Sequence, residues 1–547
     1  MAAGEPIMPL SDVTPGMSCT AKTVFSGTTA TDFPVTVRDI YSDPSMGDFL
    51  LVEVGGAAAS TGIASGMSGS PVYCPVAGGG AAIAGALSYG IGWENDQVGL
   101  ATPIERMIDG EVSVNSASKP APAAVAAAAR RMAKLPIPMQ VSGLNESSVN
   151  LLNKRSDKFN FIAASGSDAQ ASDVAALEPG SSVGVGFTAG DIVAGGIGTV
   201  SYRDGSKIWA FGHPMDGVGP SSLFMTQAPI TTIVDAGPSA GYASYKLGSF
   251  GANVGTLNGD NANAVTGLLG VGPAAVSTNH AHVKGLVDST VNVSVADEES
   301  LGFPHGNWTE IVAGFPAMQA TYKSMKSAYV PRLSTSLCWT FTVRQLQEPF
   351  RFCKKMVGQA TFEFGESPTL NWIAEQEWFA ARMIYSMRSA NLSISDITVE
   401  GKASNDLQVA SLKSAKQIGR SYKGKAKIRL SYLTPAGTTK TSDIKIPFGR
   451  KWTKKRVTVS GSQKAIKQGV VLDNSKQVAN PTPSPYEEPS FGEPPEDPKN
   501  LQELQDMFSD LNGRTQLKVY GLKGGVRYIA NNLNGLLPVG GVSVTVK

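Results

Sequence analysis

Across residues 19–102 apolar and polar side chains alternate in short runs: CTAKTVF, FPVTVRDI and DFLLVEV, then a Gly/Ser segment, then PVYC, AAIAGALSYGI and QVGLATP. Period-two alternation bounded by turn residues predicts strands, so this stretch reads as three strands, a loop and three strands. Residues 103–109 (PIERMID) have helical character and close the unit. A second β-rich unit begins near Pro179 with SVGVGF, VAGGIGTVSY and KIWAF, passes the turn Gly212-His213-Pro214, and continues in QAPITTIV, GYASYKL, ANVGTL and AVTGLLG. Both units thus offer a polar side chain from the connection after a third strand.

Beyond residue 276 the pattern changes. WIAEQEWFAARMIYSMRSA (372–390) places apolar residues at helical spacing, and its Trp, Phe, Met and Tyr side chains read as core. DITVEG, KAKIRLSYL and SDIKIPFG suggest an immunoglobulin-like sandwich. NPTPSPYEEPSFGEPPEDPK (480–499) reads as an extended linker. The organisation expected is a serine-bearing barrel half (1–115), a linker with a short helix (116–178), a histidine-bearing barrel half (179–275), a mixed α/β accessory region (276–391), a sandwich (392–478), a Pro-rich linker (479–500) and a C-terminal helix with strands (501–547). The fold class is mainly β: a chymotrypsin-like double β-barrel with C-terminal β-sandwich-like and helical accessory regions.

Composition narrows the partners. With 547 residues, 42% of them hydrophobic, the chain can bury several cores. Lys+Arg 47 against Asp+Glu 45 gives no bulk attraction to nucleic acid or to an anionic membrane. No apolar run is long enough to span a bilayer, and MAAGEPIMPLSDV has neither the basic segment nor the apolar core of a signal peptide. If the protein is exported, its signal has been removed or lies upstream. The four cysteines, Cys19, Cys74, Cys338 and Cys353, show no zinc-site spacing. Cys338 and Cys353 could pair across neighbouring strands, with free buried thiols the alternative.

The segment Gly66-Met67-Ser68-Gly69-Ser70-Pro71 carries the candidate chemistry. A nucleophilic serine must project its hydroxyl while backbone N–H groups point at the developing oxyanion, and glycines allow the dihedrals this requires. Gly66 and Ser68 would supply those N–H groups; a plain Gly/Ser/Pro turn is the alternative. The serine needs a general base, and of four histidines His213 is best placed, between an apolar strand and the Gly-rich MDGVG. His280 and His282 (STNHAHVKG) read as alternate positions on an exposed strand, and His305 as a loop residue.

These residues carry a family resemblance. The run from PLSDVTPGMSCTAKTVFSG through TGIASGMSGSPVYC and IAGALSYGIG to ATPIERMID resembles the serine segment of the SpoIVB peptidase family. GTVSYRDGSKIWAFGHPMDGVG, followed by VGTLNGDNANAVTGLLG, resembles that family's histidine segment. The resemblance covers about the first half of the chain and implies Ser68 as nucleophile and His213 as base. It departs from the family in order, since here the serine block precedes the histidine block, and no PDZ-like segment comes ahead of the catalytic unit. It also implies an exported bacterial protein of the periplasm or cell envelope.

A third, acidic member would orient the imidazole. Glu53 lies upstream of Ser68 near the family's aspartate spacing; Asp260 lies between late strands of the histidine unit, where a chymotrypsin-like barrel places its aspartate. A Ser-His dyad is the other arrangement. Arg450-Lys451-Trp452-Thr453-Lys454-Lys455-Arg456 reads as a solvated hairpin end rather than a polyanion patch, and Gly78-Gly79-Gly80 as a hairpin turn rather than a phosphate loop. The expectation is a serine endopeptidase acting on protein or peptide substrates without cofactor or metal, with small, apolar residues 84–89 suggesting an uncharged residue before the cut. The alternatives are a catalytically silent double-barrel scaffold that works by binding, and a self-processing protein.

Overall fold

In the computed structural model the alternation of the sequence becomes barrel wall. Strand β1 (Ser18–Thr23) buries every second residue, with Cys19, Ala21 and Thr23 inward. With β2 (Thr31–Asp43), β3 (Gly47–Val54), β4 (Pro71–Pro75), β5 (Ala81–Gly90) and β6 (Val98–Pro103) it closes an antiparallel barrel in the order β1-β2-β3-β6-β5-β4. Phe33, Val35, Leu50, Val52, Val72 and Leu87 fill it, and a disulfide joins Cys19 of β1 to Cys74 of β4. The three-plus-three reading of this unit and the helix at Ile104–Asp109 match the structure.

The structure describes residues 4–44, 46–90, 97–110, 137–156, 159–164, 177–235, 244–303, 306–326, 332–359, 368–387, 390–406, 408–422, 424–447, 455–461, 471–472, 497–512, 516–522, 525–530, 533 and 536–546. The low-complexity linker after residue 115, His305, most of the basic run at 450–456 and most of the Pro-rich segment lie outside them.

A second barrel follows: β7 (Ser182–Gly186), β8 (Val193–Asp204), β9 (Lys207–Ala210), β10 (Gly219–Gln227), β11 (Asn253–Asp260) and β12 (Val265–Leu269). Its antiparallel pairings run β7-β8-β9-β12-β11-β10 and return to β7. In both barrels the first, second, third, sixth, fifth and fourth strands are neighbours, so the chain is a mainly β double barrel with helical additions.

One strand assignment is corrected. The fourth strand of the second barrel is Gly219–Gln227, whereas Ile230–Val234 and Tyr245–Gly248 pair with each other in a separate ribbon. Gly219-Pro220-Ser221-Ser222 has the composition of a turn, but it lies in the sheet through an irregular register between Pro220 and Leu223. Buried Glu298 accepts the Ser221 hydroxyl and the Ser222 N–H, which satisfies donors the ladder leaves over.

Both barrels belong to one compact unit, Met1–Ser277 with Val293–Ile311. The other unit, Thr278–Asn292 with Val312–Lys547, contains the helix Pro368–Tyr385 and paired strands Arg332–Val343 and Phe350–Gln359, joined by the Cys338–Cys353 disulfide. It also holds two four-stranded sheets sharing one apolar core. That sandwich includes Gln516–Leu522 and Gly541–Val546, beyond the range expected for it, while Ile394–Ser404 pairs with Arg332–Val343 instead. His280 is exposed and His282 half-buried on one face of Val276–Lys284.

Candidate active site

Ser68 lies in the connection from β3 to β4, and His213 in the corresponding connection from β9 to β10. The serine segment consists of two consecutive tight turns. Met67 N–H bonds the Ala64 carbonyl at 2.9 Å and Ser70 N–H bonds the Met67 carbonyl at 2.9 Å, with Gly66 (φ 89°) and Gly69 (φ 93°) third in each turn. A positive φ at that place calls for glycine, so the repeated Ser-Gly pair in ASGMSGS specifies this shape. The Ser70 hydroxyl adds a 2.6 Å bond to the Met67 carbonyl.

The turns leave over the two N–H groups that an oxyanion site would use. The N–H groups of Gly66 and Ser68 bond no backbone carbonyl among the described residues. Their peptides are held from the carbonyl side: Ser65 O accepts Lys246 N–H at 2.9 Å, and Met67 O accepts the two Ser70 donors. The Ser68 hydroxyl is buried and has no hydrogen-bond partner among the described residues.

The histidine turn is shaped by two successive residues of positive φ, Phe211 and Gly212, both at 68°. For a phenylalanine this costs about 1–2 kcal/mol, offset by burial of its ring. His213 is fully buried beside Tyr89 and Phe211, ring centroids 5.9 and 6.2 Å away, and its Nδ1 lies 2.8 Å from the Pro214 carbonyl oxygen.

Each candidate segment is tied down by a threonine of the other barrel. Thr199 of β8 donates its N–H to Ser68 O and its hydroxyl to Gly66 O, both at 2.9 Å. Thr102 of β6 donates its hydroxyl to Gly212 O at 2.6 Å. The two segments also converge on Leu87 of β5: Gly69 N–H bonds its carbonyl oxygen at 2.7 Å, and a Cβ on Gly212 would lie 3.1 Å from the same atom.

The two carboxylates fare differently. Asp260, at the end of β11 and almost fully buried, accepts the N–H groups of Met215 (2.7 Å), Asp216 (2.7 Å) and Gly217 (2.8 Å), and so anchors the turn that carries His213. Glu53 forms an exposed ion pair with Arg38 of the neighbouring strand. The structure brings the backbone segments that carry Gly66, Ser68 and His213, with Asp260, to the barrel junction, without a hydrogen bond from the Ser68 hydroxyl to His213, and engages Glu53 elsewhere.

Two residues of the junction escape sequence reasoning. Thr199 looks like any strand threonine. Lys246 shares a strand face with Ser244 and Gly248, and a lysine in an alternating strand ordinarily marks the solvent side; here it is fully buried. Comparisons with protein-family models, curated proteins and solved structures find no match for the chain.

Proposed function

We propose that the chain is a serine endopeptidase of the SpoIVB type, acting on protein or peptide substrates by acyl transfer. Ser68 attacks the scissile carbonyl, His213 takes its proton and returns it to the leaving amine, and the N–H groups of Gly66 and Ser68 receive the oxyanion. The observation that carries this reading is the equivalence of position: one serine and one histidine, each in the third-to-fourth-strand connection of barrels with the same strand circuit, bound together by Thr199 and Thr102. Asp260 is the acidic residue assigned to this site as an anchor: it holds the backbone of the histidine turn, while the imidazole Nδ1 faces the Pro214 carbonyl oxygen. The exchanged order of the two blocks is compatible with the function, since the junction needs one reactive segment from each barrel, in either order along the chain. Two disulfides are compatible with an exported setting, in the periplasm or cell envelope.

A fluorophosphonate probe tests the reading. Wild type is expected to be labelled at Ser68, Ser68→Ala not at all, and His213→Ala about 10²- to 10⁴-fold more slowly. Complete burial of both side chains favours a second reading, a silent double-barrel scaffold that works by binding. A wild-type protein inert to the probe across pH and temperature, together with a properly folded Ser68→Ala variant, would overturn the peptidase reading and leave the scaffold reading in its place.

A further inference from the structure

Lys246 is a fully buried ionisable group beside the serine segment for which the proposed reaction has no use. Its Nζ bonds three hydroxyls, Thr23 Oγ1 at 2.7 Å, Ser182 Oγ at 3.1 Å and Thr199 Oγ1 at 3.1 Å. Those groups come from β1, β7 and β8 and are all neutral. From the strand Met139–Ser142, the Gln140 amide bonds the Lys246 carbonyl, and no carboxylate bonds the ammonium among the described residues. An uncompensated buried charge is costly to folding, so its presence calls for a role.

The geometry gives one. A protonated amine only donates, so the Thr199 oxygen accepts from Nζ and its own proton goes to Gly66 O at 2.9 Å, the shorter contact, rather than to Thr23 Oγ1 at 3.4 Å. The aliphatic stem of Lys246 packs on Gly66, where an added Cβ would meet Lys246 Cβ at 3.2 Å, and the Lys246 N–H holds Ser65 O. We propose that Lys246 is a positioning residue that, through the Thr199 hydroxyl, locks the Gly66–Ser68 backbone in the conformation that presents both oxyanion N–H groups. This deepens the peptidase reading and rests on it for its catalytic consequence, though the clamp itself can be measured without it.

Burial draws the Lys246 pKa down to about 7. The ammonium, and with it the directed Thr199 hydroxyl, is present below that pH and lost as pH rises through it. The neutral amine offers a lone pair, to which Thr199 can turn its proton, releasing Gly66 O.

The test uses the full chain with Lys246→Met, Thr199→Val and Thr199→Ser. Hydrogen–deuterium exchange of the 62–72 segment is expected to be at least about tenfold faster in Lys246→Met and Thr199→Val and unchanged in Thr199→Ser, which keeps the hydroxyl. Fluorophosphonate labelling of Ser68 should fall about tenfold or more in the first two variants and be retained in the third. Its decline above neutral pH should be present in wild type and absent from Lys246→Met. Wild-type exchange in Lys246→Met would overturn the clamp whether or not Ser68 is reactive. Faster exchange with no labelling of wild type would keep the clamp and remove the peptidase reading. Faster exchange with wild-type labelling rates and pH profile would reduce Lys246 to a structural role and overturn the proposal.

Discussion

Gly69→Ala should destabilise the barrel junction by roughly 3–5 kcal/mol and remove Ser68 reactivity. A Cβ at this position would lie 1.9 Å from the Thr199 carbonyl oxygen and 2.5 Å from the Phe211 nitrogen, and both are backbone atoms without rotamers to move aside. Relief requires parting the serine loop from β8, which breaks the Thr199 bonds to Ser68 O and Gly66 O. Gly78→Ala isolates the effect. Gly78 has the same φ, 93°, but nothing within 4 Å of an added Cβ, so only the conformational penalty of about 1–2 kcal/mol applies. Calorimetric unfolding of the two variants should therefore separate them clearly. Equal shifts would mean that the serine loop is not pinned against the second barrel.

The second large effect is expected at Asp260. Its carboxylate is almost fully buried and accepts three backbone N–H groups, two of them on Oδ2. In Asp260→Asn the amide has one accepting oxygen, so its NH₂ group must face at least one of those donors. Bonds to a charged acceptor contribute about 1.5–3 kcal/mol each, and a buried donor left unpaired costs about 1–3 kcal/mol. A loss of roughly 3 kcal/mol is expected, with at least about tenfold slower labelling of Ser68 because the turn that presents His213 loses its anchor. Glu53→Gln is the matched control. An exposed pair such as Glu53–Arg38 is worth at most about 1 kcal/mol, so its melting temperature and labelling rate should stay near wild type. A Glu53→Gln variant that loses labelling while Asp260→Asn keeps it would reverse the assignment of the acidic residue.

Much of the double barrel was legible because its signals are local. Alternating burial in β1 follows directly from SCTAKT, and the turns around Ser68 follow from glycines that only a positive φ explains. The fourth strand of the second barrel was not legible, because Pro220 and two serines weaken the alternation and Glu298, far along the chain, completes their hydrogen bonding. Glu53 and Asp260 could not be told apart in sequence. Each is a carboxylate near a strand end, and the difference between an exposed ion pair and a buried anchor of three amides depends on which partners the barrels bring.

By itself the sequence determined the strand rhythm, the shape of the serine loop and the candidate pair Ser68 and His213, since these rest on side-chain periodicity and on backbone dihedrals that a few neighbouring residues decide. Only the tertiary structure decided that Thr199 and Thr102 tie the serine and histidine segments to the opposite barrel, that Asp260 anchors the histidine turn, and that Lys246 is enclosed by Thr23, Ser182 and Thr199. These contacts join residues far apart in the chain, and a hydrogen bond across a barrel junction leaves no periodic trace in either strand that makes it.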